Sequence, residues 1–111
     1  MNLTANKLYN KISKYDSFAS KEVINKAFII SKKAHANQYR SSGEQYFTHP
    51  LAVANVLIDM KLDSSTIITA LLHDVVEDSD VSLDLIKNEF GEEISKLVEI
   101  SSPNSFFIKS N

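Results

Sequence analysis

Residues 67–78, IITALLHDVVED, decide how this chain folds. Ile67, Ile68, Leu71, Leu72, Val75 and Val76 recur at helical spacing, and Asp63, Ser64 and Ser65 offer caps just ahead of them. The stretch therefore predicts one helix running to about Asp78. At about 100° per residue, with His73 at zero, Glu77 falls near 40°, Asp74 near 100° and Asp78 near 140°, opposite an apolar arc of roughly 160° to 300°. The four polar groups then share one side. They also crowd the last turn, where the partial negative charge of the helix end disfavours each carboxylate by about 0.3 to 1 kcal/mol. Acids placed there call for a compensating cation.

Helical periodicity continues on both sides. Leu8, Ile12 and Tyr15 mark a weak amphipathic helix over 3–15. Ser20 is a candidate N-cap for a second helix, whose Val23, Ile24, Ala27, Phe28, Ile30 and Ala34 line one face as far as Gln38. Between Tyr39 and Thr48 the periodicity fails and Gly43 appears, which predicts a loop. Pro50 opens a third helix through Val53, Val56, Leu57 and Met60 to Leu62. Ser82 caps a short helix to Phe90, Gly91 breaks it, and Glu92 to Ile100 forms another, with Ile94, Leu97 and Val98 inward. Nothing alternates apolar and polar for long enough to form a strand. The expected fold is all-α, a bundle of five to six short helices over residues 1–100 with an irregular tail over 101–111.

The chain has 111 residues and no cysteine, which excludes a disulfide scaffold, a cysteine zinc site and a thiol nucleophile, and suits a reducing compartment such as the cytoplasm. Its longest apolar runs are four residues, as at 27–30 and 51–54. A bilayer span takes about 20 apolar residues and a signal peptide about 7 to 15, so neither is expected. A pI near 5.9 argues against nucleic acid as a partner. Charge is uneven along the chain: eight basic and three acidic residues through His49, four basic and eleven acidic from Pro50 onward. Two solvated helix faces would explain this, as would one cleft with a basic and an acidic wall.

A neutral imidazole beside a carboxylate is a ligand pair for manganese, iron or zinc, and His73 with Asp74 is the obvious first pair. Two ligands hold an ion weakly, so a third should approach in space. His35 and His49 are the other histidines. His49, at the junction of loop and helix just ahead of Pro50, is placed to point past a helix end; His35 continues the Ile24, Phe28, Ser31 row of the second helix and is better read as a packed core imidazole. Asp78, Asp80, Ser82, Asp84 and Glu89 mimic the ligand spacing of a calcium loop, but Leu83 stands where that loop needs glycine.

In order, RSSGEQYFTHP, ALLHDVVED and FGEEISKLVE resemble the hydrolase domain of RelA/SpoT-type proteins, metal-dependent enzymes of the HD superfamily that remove the 3′-pyrophosphate of the alarmone (p)ppGpp. The similarity covers roughly Ala34 to Glu99. It implies that His49, His73 and Asp74 are three of the four ligands of a manganese ion. Glu77 and Asp78 would be the catalytic pair that positions and deprotonates the attacking water. Arg40 would stack on guanine, a role for which its flat guanidinium is suited, and Ser42 lies in the same nucleotide-contacting loop. Two loop positions depart from the family pattern: Ser41 replaces a usual basic residue, which weakens contact with phosphates, and Gln45 replaces a common proline. The family's fourth ligand is an aspartate on a later helix, in a stretch resembling ADRLHNMR, whereas no carboxylate follows Glu99 here. The chain thus resembles the first part of a hydrolase domain, incomplete at its C-terminus. Two expectations follow: a working (p)ppGpp pyrophosphohydrolase, or a catalytically inactive remnant that self-associates or pairs with a complementary chain covering the absent helices.

Overall fold

The computed structural model describes residues 3–101, and seven helices occupy them. These are α1 (Ala5–Ser13), α2 (Lys21–Ala34), α3 (Thr48–Asp59), α4 (Ser64–Leu72), α5 (Val75–Asp78), α6 (Leu83–Phe90) and α7 (Glu92–Ser101). The fold is all-α; among the described residues the sole extended pairing is an isolated bridge between Tyr39 and Gln45. Ser101 closes α7, and the rest of the expected tail lies outside the described residues.

Caps set most of the boundaries. Thr4, Ser20, Asp63 and Ser82 each accept a bond from the backbone N–H three residues on, satisfying one of the unpaired donors of a first turn. At the far end of α3, Lys61 takes the left-handed conformation (φ 62°), and the N–H groups of Lys61 and Leu62 return to the carbonyls of Ile58 and Leu57. That is a Schellman closure, which ends the helix three residues earlier than Leu62. Ser82 capping α6 also removes the calcium-loop pattern, because Leu83 onward is helix.

The central element is α4. Ile67, Ile68, Ala70, Leu71 and Leu72 are all buried, so this helix presents a broad apolar arc and is enclosed by α2, α3 and α7, while α1 packs on α2 and α3 and α6 packs on α7. Ile24 and Ala27 of α2, Leu51, Ala54 and Ile58 of α3, and Ile94 and Val98 of α7 join it in the core, with Leu8 and Ile12 of α1, Phe47, Val75 of α5 and Ile86 of α6.

Three further sequence expectations need correction. The helix expected to run from Ser64 to Asp78 is two helices, α4 and a one-turn α5, because His73 and Asp74 form a turn between them. The imidazole Nδ1 of His73 lies 2.6 Å from the carbonyl of Ala70, the acceptor a continuous helix would offer to the N–H of Asp74. Angles counted at 100° per residue consequently do not carry through to Glu77 and Asp78. The second helix stops at Ala34, with His35 as its C-cap, rather than at Gln38. The third begins at Thr48, not Pro50, because the N–H groups of Thr48 and His49 bond back to Gln45 and Tyr46 and extend the helix towards the loop. Proline is tolerated throughout a first turn, whose N–H groups have no helical partner. His49 is therefore a first-turn helix residue.

Asp16 joins the start of α4 to the end of α1: one carboxylate oxygen accepts from the N–H of Ser64 at 2.8 Å and the other from Phe18 at 2.9 Å. These backbone bonds, Ser64 first, hold its pKa below the ordinary 3.8. A depressed carboxyl contributes stability that is present above its unfolded value and lost as pH falls through the folded one. Asp16→Ala should lower the urea midpoint at neutral pH and lose less than wild type on acidification through 3.8. Equal acid sensitivity in the two proteins would count against this bond.

Candidate metal centre

One nitrogen from His49, one from His73 and a carboxylate oxygen of Asp74 lie within 4.8 Å of one another, the one group of metal-ligand type among the described residues. Two atoms each roughly 2.0 to 2.2 Å from an ion stand at most about 4.4 Å apart, so small side-chain rotations close the set. The sequence-predicted ligands do converge. His49 comes from the first turn of α3, His73 caps α4, and Asp74 opens α5.

Hydrogen bonding decides which nitrogen of His73 is available. A backbone carbonyl carries no proton, so the 2.6 Å contact with Ala70 requires Nδ1 to donate. In the neutral ring Nε2 then bears the lone pair, and it faces Oδ2 of Asp74 at 3.1 Å. Two acceptors at that distance repel unless a proton or a metal ion sits between them. The set therefore fits a divalent cation: a donor atom aimed at a carboxylate, on a ring held by a backbone carbonyl through its other nitrogen, is the usual arrangement around a bound metal. This local repulsion replaces the helix-end argument, because α4 has ended before Asp74.

The remaining predicted residues are arranged less tightly. Arg40 is exposed beside the cluster, with a guanidinium nitrogen 3.4 Å from Nδ1 of His49. A guanidinium only donates, so this nitrogen of His49 presents its lone pair, and an ion binding through that lone pair displaces Arg40. Ser42 lies at the loop tip, where its hydroxyl accepts from the N–H of Glu44 at 3.5 Å; it is not hydrogen-bonded to the three ligands. Glu77 and Asp78 belong to α5, and their carboxylates do not join the cluster. Asp78 is exposed and borders an open groove of about 790 Å³ together with Lys33 of α2 and Asp80 and Glu89. Here the basic first half of the chain meets the acidic second half.

His35 is buried, as expected of a core imidazole, and its Nδ1 lies 2.9 Å from Oε1 of Gln38. Its Nε2 and the hydroxyl of Ser31 are buried with no hydrogen-bond partner. Two residues escaped sequence reasoning altogether. The hydroxyl of Tyr46 donates to Oδ2 of Asp74 at 2.6 Å, and this bond, with burial second, pushes the Tyr46 pKa up to about 12. The side-chain amide of Gln38 donates to the carbonyls of Ala34 and Asp78, tying the end of α2 to α5. No spacing signals either contact, because the partners are 28 and 40 residues apart.

The family model of the HD domain matches residues 27–103, which include His49, His73 and Asp74. The chain belongs to the HD-domain family. Within it, the similarity runs to RelA/SpoT-type proteins. It is 44% identical over 81 residues, 73% of its length, to a probable GTP pyrophosphokinase of Mycobacterium leprae. It is 44% identical over 92 residues, 83% of its length, to the GTP pyrophosphokinase rsh of Brucella ovis. Over 76 residues, 68% of its length, it is 46% identical to the bifunctional (p)ppGpp synthase/hydrolase SpoT of Escherichia coli K12. The chain spans 10%, 12% and 11% of the length of these three relatives. Among the described residues, no helix is long and apolar enough to cross a membrane.

If the three side chains hold an ion, a divalent transition metal at one hundred times its Kd should stabilise the folded chain by about 2.7 kcal/mol. The thermal midpoint of wild type should rise accordingly and that of His73→Ala should not. An equal rise in both would exclude His73 as a ligand.

Proposed function

We propose that this HD domain hydrolyses the 3′-pyrophosphate of a guanosine alarmone, (p)ppGpp, to GDP or GTP and pyrophosphate, with manganese as its metal. The convergence of His49, His73 and Asp74 carries the hydrolytic part of this reading. The substrate class is supported by the likeness to relatives whose names specify (p)ppGpp hydrolysis.

His49, His73 and Asp74 would hold the ion. When bound, it supplies Lewis acidity, lowering the pKa of a water from about 15.7 towards 7. The chain's own residues do the rest. The Ala70 carbonyl keeps the His73 ring in the tautomer that donates a lone pair through Nε2. Glu77, on the turn that follows Asp74, is the carboxylate for taking a proton from the attacking water, with Asp78 beside it. Arg40, exposed beside His49, offers a planar cation to a guanine face. Attack by water oxygen on the phosphorus attached to the 3′-oxygen forms one P–O bond and breaks the bond to that oxygen. The nucleoside leaves as the 3′-alcohol once protonated, and pyrophosphate is released.

Association with another chain is a second reading, supported by Val56 on α3 and Met60 at its C-cap, which are 57% and 61% exposed, and Ile100, 71% exposed on α7. An association surface of that kind is compatible with turnover, but a chain that scatters light as an assembly and never hydrolyses would favour it alone.

Incubation of the purified chain with manganese and ppGpp should release pyrophosphate. Asp74→Asn should abolish release, and Glu77→Gln should lower kcat by about 10²- to 10⁴-fold with KM little changed, as expected for loss of a general base. Absence of turnover at every enzyme concentration would reject the hydrolase.

A further inference from the structure

The three ligands do not stand alone: Oδ2 of Asp74 is gripped from outside the ion site. Tyr46 donates its hydroxyl to that oxygen at 2.6 Å, a short bond of the kind made to a charged acceptor. The phenol is in turn held. Its ring lies against the buried imidazole of His35, with centroids 4.8 Å apart, and its backbone N–H bonds to the carbonyl of Gln38 at 2.8 Å. Gln38 is fixed from two directions, by His35 Nδ1 at its carbonyl oxygen and by the carbonyls of Ala34 and Asp78 at its amide nitrogen. The ring of His49 stands edge-on to Tyr46, with centroids 6.0 Å apart. One phenol thus touches two of the three ligands and is braced by the end of α2.

We infer that Tyr46 is a positioning residue of the metal centre: its hydroxyl fixes the carboxylate of Asp74 so that the lone pairs not used by the phenol point at the ion. The inference rests on the metal-centre reading above. A carboxylate on a turn between two helices is otherwise free to rotate about its side-chain torsions, and a bond to one oxygen selects the rotamer. Groups that orient a ligand in this way carry about 10- to 100-fold of metal affinity. His35 and Gln38 act one step further out, by holding the phenol.

Manganese titration of the full chain by calorimetry, with circular dichroism melts of the metal-free proteins, tests this. Tyr46→Phe keeps the ring and its contact with His35 and removes the hydroxyl alone. Its manganese Kd should rise about 10- to 100-fold, while its metal-free melt stays at the wild-type midpoint. Where ppGpp turnover is measurable, saturating manganese should leave KM for the nucleotide at the wild-type value. Wild-type uptake matched by an equal Kd in Tyr46→Phe overturns the role of Tyr46 and leaves the metal centre standing. A metal-free melt lowered in step with the affinity makes Tyr46 a structural residue and overturns it equally, as does a raised KM at saturating manganese, which would put the phenol on the substrate. No uptake by wild type overturns the metal centre, and with it any positioning role.

Discussion

The bond from the His73 ring to the Ala70 carbonyl governs the arrangement of the site. It takes the acceptor that would have continued α4, so the helix stops at Leu72 and the chain turns through His73 and Asp74 before α5. In the neutral ring it also places the proton on Nδ1 and leaves Nε2 facing Asp74 with a lone pair. One hydrogen bond therefore sets a helix end, a tautomer and the direction of a ligand. It can do so because α4 is enclosed by α2, α3 and α7, which leaves the backbone before His73 little freedom to readjust.

The loop between α2 and α3 supplies the rest. Arg40 and Gly43 close a tight turn through the Gly43 N–H, Gly43 has φ 92°, and the Tyr39 and Gln45 backbones pair, so the loop is a short ribbon with a defined shape. Glycine at that angle avoids the strain a side chain would meet in left-handed backbone. The ribbon delivers Tyr46 and then His49 to the end of α4 while Arg40 stays exposed beside His49. Phe47, buried and edge-on to Phe28 with ring centroids 5.1 Å apart, anchors the ribbon to α2 from within the core. Rigid burial on one side and polar groups on the other are what a site needs if its ligands are to hold their geometry before an ion arrives.

Much of the fold was legible because burial imposes a period. The apolar spacing from Ile67 to Leu72, the caps at Ser20, Asp63 and Ser82 and the break at Gly91 all act within a few residues of themselves, so a local reading finds them. The end of α3 was misjudged because Lys61 occupies a left-handed position usually given to glycine, and no residue type signalled it. The turn at His73 was missed for a related reason: a histidine side chain competing for a carbonyl three residues back leaves no trace in hydrophobic spacing.

By itself the sequence determined the all-α class, the membership of His73 and Asp74 in one polar cluster and, by elimination among three histidines, the choice of His49 as the third member. These follow from chain chemistry and from the period of a helix. Tertiary structure alone decided that His49 reaches the other two, that Glu77 and Asp78 sit on a separate turn outside the cluster, and that Tyr46 and Gln38 support it. Those contacts join residues far apart in the chain, and only the packing of α2, α3 and α5 around the end of α4 brings them within bonding distance.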